Sequence, residues 1–386
     1  MRVLHFFDQF LPTTMNWAWR LLHHTPQTEP HIAAFIQHEC SFRSPDFGYV
    51  VPWYQPVLPR NEGAINTLHR AVSWADRHYI GGYVRQVERY IRDQNIAVCH
   101  AHFGHLGVHW SPVTRRLGLP LVVSFYGFDV EMLPRTRPHF RAKYQKLFDE
   151  ADLFLCEGRH GIEALKKLGC PPEKLVIQHF GVDVNHVVAQ HRHKKVNQLR
   201  LVQVASFTEK KGHQYTLEAF RLALADCPNI HLTLIGSATQ PNVLRWVYEF
   251  VEKHQLQANV VVKMAMPFGE LYDTLGQFDV LIQPSHAAQN GDSEGGPVIL
   301  LDAQATGLPV ISSTHANIPD IAPHEHSSIL AAERDASGIA NAIRRFYQMQ
   351  DVEYQQFSSQ ARKHIEAEYN LETTCSQLEK RYRSLV

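Results

Sequence analysis

Short apolar runs alternate with longer mixed segments along most of this chain, and the alternation restricts the folds open to it. The runs are RVLHFF, HIAAFIQ, VCHAHFG, LVVSFYG, LFLCEG and LVIQHFGVD in the first half, and LRLVQVAS, HLTLIGS, NVVVKMA, VLIQPS and PVISS in the second. Such runs fit strands buried on both faces, and segments such as 65–94 and 137–149 fit helices. Because helices joining buried strands produce parallel sheets, the pattern predicts an α/β protein with two doubly wound, Rossmann-like sheets.

The chain is long enough for two domains, and one stretch marks where they join. Its 386 residues exceed what a single hydrophobic core usually supports. VNHVVAQHRHKKVNQ (184–198) is polar, basic and without a clear period. We predict an N-terminal domain over 1–185, a linker over 186–198, a C-terminal domain over 199–365, and a last helix over 366–386 that crosses back to the first domain. Ligands of such sheets bind at the carboxyl ends of the strands, so the site should lie in a cleft between the domains.

Charge, cysteine and histidine usage exclude several classes of protein. Lys plus Arg and Asp plus Glu number 38 each, so no global field favours nucleic acid. The six cysteines form no Cys-x-x-Cys pair, and the apolar start breaks at Asp8, too early for a signal-peptide core. We therefore expect a cytoplasmic protein with reduced thiols. The histidine clusters lack acidic or thiolate partners at ligand spacing, so we predict no metal site.

The stretch SEGGPVILLDAQATGLPVISS (293–313) predicts a buried helix with an anion site at its start. Pro297 suits the first helical position, and Gly307 ends the helix. The segment between them is apolar nearly all round, as in a buried helix. Gly295 and Gly296 leave the backbone amides at the start open, and such amides bind phosphate.

Two acids stand out in this stretch. Asp302 lies inside the apolar helix, where a carboxylate needs hydrogen-bond donors. Two ribose hydroxyls would supply them, and so would a cap or salt bridge to a neighbouring element. Glu294 precedes the helix and should project into the cleft. The eight-residue separation spans about 12 Å if helical throughout, too far for a paired acid and base on one bond. It suits two contacts along an extended ligand such as a nucleotide sugar.

Together with its neighbours, this stretch resembles a known family. NGDSEGGPVILLDAQATGLPVISSTHANIPDI (290–321) resembles the donor-site signature of retaining GT-B glycosyltransferases of family 4. LVQVASFTEKKGHQYTLEAF (201–220) is similar to the phosphate-binding strand, loop and helix of that family, and FDVLIQPS (278–285) to the strand before the signature. VCHAHFGHLG (98–107) and LVVSFYGFDV (121–130) resemble strand ends of its acceptor domain. The resemblance covers most of residues 98–386.

The resemblance implies a GT-B fold and a metal-independent sugar transfer. A sugar would pass from a nucleotide-diphosphate sugar, with retention of configuration, to a hydroxyl of a glycan or a lipid-linked acceptor. The setting would be bacterial surface-polysaccharide assembly, with no cofactor besides the donor substrate. A nucleotide-sugar epimerase of the same architecture and a non-catalytic partner subunit are the alternatives.

The resemblance also assigns roles to individual residues. Glu294 would contact the donor sugar and Asp302 the ribose. The implied catalytic group is Glu294, His102, Tyr126 and Asp129. The implied donor-binding residues are Ser206, Lys211, Gly236, Met266, Gly295, Gly296, Val298 and Asp302. The implied acceptor-side residues are Thr13, Thr14 and Gly127.

The sequence departs from the family pattern at four places. Ser206 stands where the family has the arginine of its phosphate clamp, five residues before Lys211. Tyr126 replaces the histidine of the family's His-Gly-x-Asp motif, and Asp302 replaces a glutamate. The first strand-helix turn, DQFLPTTMNW (8–17), lacks the glycine pair common there. A shorter reach to ribose and one fewer guanidinium for the diphosphate follow from these changes.

The stretch LPRTRPHFRAKYQKLF (133–148) carries five basic residues and no acid. One interpretation is a plain solvated helix face. The other is contact with the anionic inner face of a membrane, at about 1 kcal/mol for each basic residue. The aromatic residues Phe140 and Tyr144 would suit such a peripheral membrane contact.

Overall fold

The computed structural model describes residues 1–11, 15–37, 47–50 and 81–386. The strands of this part of the chain are β1 Arg2–Phe10, β2 Glu29–Gln37, β3 Gly48–Val50, β4 Val98–His102, β5 Leu121–Phe125, β6 Leu153–Cys156, β7 Leu175–Ile177, β8 Leu199–Val204, β9 Ile230–Gly236, β10 Val260–Met264, β11 Val280–Gln283, β12 Val310–Ser313 and β13 Ser328–Ala331.

Helices join these strands and cover both faces of the sheets. They are α1 Asn16–His23, α2 Gly81–Asp93, α3 Gly104–Leu117, α4 Leu133–Thr136, α5 His139–Glu150, α6 Arg159–Lys167, α7 His213–Leu224, α8 Pro241–Lys253, α9 Leu271–Leu275, α10 Val298–Ala305, α11 Ile318–Ile321, α12 Ala336–Gln348, α13 Asp351–Glu368 and α14 Leu371–Arg383. Of the predicted helix over 65–94, residues 65–80 lie outside the described part.

The strands form two parallel sheets, which confirms the predicted fold class. The first has the order β3-β2-β1-β4-β5-β6-β7 and the second β10-β9-β8-β11-β12-β13. In each sheet the strand order reverses once, between β1 and β4 and between β8 and β11. Such a reversal leaves a crevice at the carboxyl ends of the two strands. Strands β3 and β13 were not predicted.

Each sheet has its own apolar core. In the first, Trp110 of α3 stacks on Phe6 of β1, with ring centroids 4.5 Å apart. In the second, the strands pack against α7 and α12 through Phe220 and Phe346 among others. Large aromatic side chains bury the most apolar area per residue, so these contacts fix the helices on the sheets and thereby the loops at the strand ends.

The segment predicted as a linker is packed against the second domain. Arg192 is 7% exposed and donates to the backbone oxygens of Thr306 and Phe278, at 3.2 and 2.8 Å. Lys194 is 4% exposed, and its ammonium lies 3.0 Å from the carbonyl oxygen of Tyr347. Arg192 and Lys194 therefore satisfy buried carbonyl groups instead of facing solvent.

The last helix, α14, packs on the first domain. Its buried side chains lie against the strands of the first sheet in a cluster with Val3, Val98, Val122 and Leu155. A bridge pairs Val182 with Asn370, where the chain leaves α13. The end of the chain therefore joins the two domains a second time.

The basic segment 133–148 forms α4 and α5. Arg135, Arg137 and Arg141 are exposed, as either interpretation requires. Tyr144 is not available to an interface, because its side chain is fully buried and its hydroxyl donates to the carbonyl oxygen of Asp129 at 2.8 Å. The suggested role of Tyr144 at a membrane is therefore wrong.

No helix in the described part of the chain has both the length and the apolar character needed to cross a bilayer.

Candidate active site

The two crevices face each other, and the domains touch between them. The contact is made by Gly127, which follows β5 and has φ of 112°. A Cβ at this position would lie 2.8 Å from the amide nitrogen of Gly295 and 2.9 Å from the carbonyl carbon of Glu294. Both the left-handed backbone and the close approach therefore require glycine. The predicted acceptor-side residue Gly127 thus lies directly against the loop that carries Glu294 and Gly295.

Glu294 lies at the centre of the cleft and is paired with Lys211. The carboxylate is 7% exposed, and both of its oxygens lie 2.9 Å from the lysine Nζ. Lys211 ends the short 3₁₀ turn that follows β8. The structure therefore brings together two residues separated by 83 positions in the sequence.

Lys210 adds a second positive charge beside Glu294, which sequence analysis missed. Its ammonium lies 3.0 Å from Asp292, 3.3 Å from the carbonyl oxygen of Ser293 and 3.9 Å from Glu294. Burial opposes ionisation of Glu294, but Lys211 and Lys210 hold its pKa at about 2. Glu294 is therefore a carboxylate at neutral pH, beside a cationic pair suited to a diphosphate.

The helix after Glu294 begins one residue later than predicted. Pro297 has extended ψ of 105° and precedes α10, whose first residue is Val298. The fixed φ of proline is compatible with this cap position, which explains the difference. Gly295 and Gly296 lie just before the helix, so close to the carboxyl group of Glu157 from the first domain that a Cβ at Gly296 would be 3.1 Å from its Oε2.

Asp302 is fully enclosed and joined to the first domain. Its Oδ1 accepts from Nη2 of Arg20 at 2.6 Å and from the hydroxyl of Tyr272 at 2.9 Å. Asp302 is 1% exposed and Arg20 is 3% exposed. The salt bridge to a neighbouring element, one of the two interpretations left open by the sequence, is thus present. The ribose contact stays a proposal.

The remaining predicted donor residues line the second domain. Ser206 is half-buried after β8, and its carbonyl oxygen accepts from the amide of Thr208 at 2.8 Å. Gly236 ends β9 so close to Ala205 that a Cβ would overlap the carbonyl group. Met266 follows β10 and packs at the border of the apolar cluster beneath α10. All three lie after strand ends, on the edge of the sheet that faces the cleft.

On the first domain, His102 and Tyr126 are joined in a chain of hydrogen bonds. Nδ1 of His102 lies 2.7 Å from the Tyr126 hydroxyl, and Nε2 lies 3.0 Å from Nδ1 of His5. Burial, followed by the neighbouring histidines, lowers the pKa of His102 well below its usual value. Burial also lowers the pKa of His5 to about 3. Both rings are therefore neutral. Each neutral ring donates a hydrogen bond from one nitrogen and accepts one at the other, so the chain of hydrogen bonds can continue through it.

A third imidazole completes a cluster that sequence spacing did not indicate. Nitrogens of His5, His100 and His102 lie within 4.8 Å of one another. Those of His100 lie 2.6 Å from the Tyr382 hydroxyl and 2.7 Å from the Ser124 hydroxyl. Such partners suit a hydrogen-bonded network, and metal binding would have to break several of these contacts. The prediction missed the grouping because His5 lies on a different strand.

Asp129 supports the site from below and does not reach into the cleft. It is 0% exposed, and its two carboxylate oxygens accept from the amides of Gly104 at 2.7 Å and Tyr126 at 2.9 Å. These bonds fix the turn that carries Tyr126. We therefore correct its predicted catalytic role to a positioning role, because a fully buried carboxylate with both oxygens engaged is not open to substrate.

The predicted acceptor-side residues Thr13 and Thr14 lie outside the described residues.

Comparison with known proteins matches both halves of the chain. The model of family 4 glycosyltransferases matches residues 46–186, and the model of glycosyl transferases group 1 matches residues 188–364. AmsK of Erwinia amylovora, an amylovoran biosynthesis glycosyltransferase, is 30% identical over 279 residues, covering 72% of this chain and 67% of AmsK. The chain belongs to the group 1 glycosyl transferases. WcaL of Escherichia coli K12, assigned to colanic acid biosynthesis as a glycosyltransferase, is 31% identical over 273 residues, covering 70% of this chain and 66% of WcaL.

Solved structures agree on the fold of this glycosyltransferase. Sucrose-phosphate synthase from Thermosynechococcus elongatus superposes with a TM-score of 0.80 at 15% identity, covering 100% of this chain and 99% of the other. HepE from Anabaena, solved with UDP and glucose, gives a TM-score of 0.76 at 13% identity over 100% of both chains. At such identities the likeness establishes the two-domain GT-B fold.

One more residue that sequence analysis missed lies in the cleft of this glycosyltransferase. Glu157 follows β6, and its Oε2 is buried without a hydrogen-bond partner among the described residues. Burial, and then the carboxylates of Glu294 and Asp129, raises the pKa of Glu157 well above its usual value. A strand-end position was the only sequence signal for it. Arg20 and Tyr272 had none, because only the approach of the domains brings them to Asp302.

Proposed function

We propose that this glycosyltransferase moves a sugar from a nucleotide-diphosphate sugar to a hydroxyl of a glycan or lipid-linked acceptor, in cell-surface polysaccharide biosynthesis. The observation that carries the proposal is the buried pair of Glu294 and Lys211 at the start of α10, beside Lys210. In this proposal the carboxylate would contact the sugar hydroxyls, and the two neighbouring ammonium groups would contact the diphosphate. The relatives AmsK and WcaL support the polysaccharide setting.

In the proposed reaction, the acceptor oxygen bonds to the anomeric carbon as the bond from that carbon to the phosphate oxygen breaks. The hydroxyl proton passes to the departing phosphate, and the new bond forms on the same face, with retention. Lys211, Lys210 and the amides before α10 offset the charge on the leaving diphosphate. The proposal requires no metal, since these groups supply the compensating charge.

On the acceptor side, Tyr126 is the proposed polar contact, and the buried His102 would orient it. Their hydrogen-bonded chain orients the Tyr126 hydroxyl, which can donate to or accept from a sugar oxygen. Glu294 would hold the donor sugar, and Asp302 would accept from the ribose hydroxyls.

The direct test combines nucleotide binding with transfer. Thermal unfolding is followed with UDP, GDP, ADP and their common sugars, because a ligand that binds only the folded state raises the midpoint. The donor found is then incubated with lipid-linked and glycan acceptors, and transfer is measured by mass spectrometry. Isomerised nucleotide sugar released without acceptor would indicate an epimerase. If the protein binds none of the three nucleotides, that result would contradict the proposal and favour a non-catalytic partner.

Position 206 offers a gain-of-binding test. Ser206→Arg restores the family's guanidinium beside the diphosphate, and we expect affinity for the nucleoside diphosphate to rise about threefold or more. Calorimetry checks this, with Ser237→Arg, a polar position after β9, as the control. Weaker binding by a folded Ser206→Arg variant would show that another group occupies this space.

The basic segment 133–148 permits a test of membrane contact. Reversing Arg135, Arg137 and Arg141 to glutamate should abolish co-sedimentation with anionic vesicles and leave nucleotide binding intact, because each basic residue near such a surface contributes about 1 kcal/mol. Reversal of the exposed arginines 85, 89 and 92 on α2 is the matched control. If wild-type protein does not co-sediment with anionic vesicles at low salt, the basic segment 133–148 is a solvated helix face and not a membrane contact.

A further inference from the structure

Arg20 is a buried cation that crosses the cleft. It lies on α1 of the first domain, is 3% exposed, and reaches Asp302 and Tyr272 of the second domain at 2.6 and 3.0 Å. Its guanidinium also lies over the ring of Phe268, 5.0 Å from the centroid. Burying an arginine in this way is unfavourable unless its charge and donors are satisfied.

The guanidinium is only partly satisfied. Both of the contacts above are made by Nη2, whereas Nη1 is buried and has no hydrogen-bond partner among the described residues. A buried N–H donor without a partner is rare in folded proteins. Arg20 therefore presents an unused donor at the contact between the two domains.

The position of Arg20 along α10 suggests which part of the nucleotide sugar its free Nη1 group could contact. Asp302 lies four residues after Val298, the start of α10, which corresponds to about 6 Å along the helix axis. Lys211 and Glu294 lie at that start. A nucleotide bound along α10, with its ribose at Asp302 and its diphosphate at the start of the helix, would therefore bring its phosphates toward Arg20. Ser206, on the opposite rim, lacks the guanidinium that the family has there.

We propose that Arg20 binds a phosphate oxygen of the nucleoside diphosphate through Nη1 and supplies from the first domain the guanidinium that position 206 lacks. The planar guanidinium suits this double role, because one nitrogen can hold Asp302 while the other donates to phosphate. Nucleotide binding would then engage both domains. This inference rests on the proposed donor substrate.

Calorimetry with a nucleoside, its monophosphate and its diphosphate tests the assignment. The base is whichever of uridine, guanosine or adenosine gives the diphosphate that wild type binds, and the nucleoside is measured by competition. Arg20→Gln should weaken diphosphate binding about tenfold or more and nucleoside binding less than about threefold. Arg20→Lys should fall between wild type and Arg20→Gln, because a lysine keeps the positive charge but lacks the planar fork of donors that a guanidinium offers to two separate acceptors. Arg2→Gln, an exposed arginine paired with Glu29 at 2.9 Å on β1, is the control.

A rescue variant separates a phosphate contact from a merely structural role. Ser206→Arg combined with Arg20→Gln should recover most of the lost diphosphate affinity, whereas loss of an interdomain brace would not be repaired from position 206. Equal losses for nucleoside and diphosphate, or unchanged diphosphate binding, would overturn the role of Arg20 and leave the proposed function standing. Wild type that binds no nucleoside diphosphate would overturn both. Midpoints of unfolding establish that each variant is folded, and if Arg20→Gln is not, Arg20→Lys alone must show the same selective loss.

Discussion

Replacing Lys211 with alanine should lower the affinity for nucleoside diphosphates about tenfold or more, because a buried charge-assisted hydrogen bond is worth roughly 1.5–3 kcal/mol. In the structure this lysine contacts both oxygens of Glu294 at 2.9 Å. Its removal therefore also weakens the charge balance around a buried carboxylate. We expect the pKa of Glu294 to rise when Lys211 is removed, because Lys211 is the charge that lowers it most.

Calorimetry on Lys211→Ala, with Lys166→Ala as control, measures this effect. Lys166 forms an exposed pair with Glu163 on α6, and its loss should change affinity little. Nucleotide affinity that stays within about twofold of wild type in Lys211→Ala would contradict the placement of the diphosphate at this lysine. Lys210 would then be the group to replace next, since it lies 3.9 Å from the same carboxylate.

Glu294→Gln should reduce turnover about tenfold or more while leaving nucleotide affinity nearly unchanged. Glutamine keeps the size and the hydrogen-bonding capacity but removes the negative charge, which would otherwise favour the positive character that develops on the sugar in the transition state. The amide also leaves Lys211 without its carboxylate. Steady-state rates with the identified donor and acceptor give turnover, and calorimetry gives affinity.

Asp302→Asn is the matched comparison for Glu294→Gln. It makes the same change in charge eight residues further along the chain, within α10, at the residue that Arg20 contacts at 2.6 Å. We expect Asp302→Asn to reduce the affinity for the nucleotide by a larger factor than it reduces the turnover rate at saturating donor. Full turnover by Glu294→Gln would remove the proposed sugar contact, and parallel losses in both variants would show that the two acids act together.

Local patterns were enough to predict the architecture. Parallel strands that are buried on both faces are rich in apolar residues, so runs such as LVVSF and LRLVQV predict buried strands directly. The glycines and proline before α10 likewise predicted an open helix start, with an error of one residue at Pro297. The pairs Lys211 with Glu294 and His102 with Tyr126 lie at strand ends, and the topology of such sheets directs strand ends to one edge.

The sequence by itself therefore determined three features: the two sheets, the helix α10 with its open amino end, and the positions of Glu294 and Asp302 along that segment. Each of these features depends on residues that are close together in the chain. Only the tertiary structure decided the partners of those acids. Arg20 and Asp302 are 282 positions apart, and nothing in the local pattern of α1 distinguishes Arg20 from a surface arginine. Glu157, His5 and Lys210 also acquire their places through contact across strands or domains. Once these groups are buried close together, their charges interact strongly and shift their pKa values. Glu294 is an example, because it stays ionised in a buried position only through two lysines of a different loop.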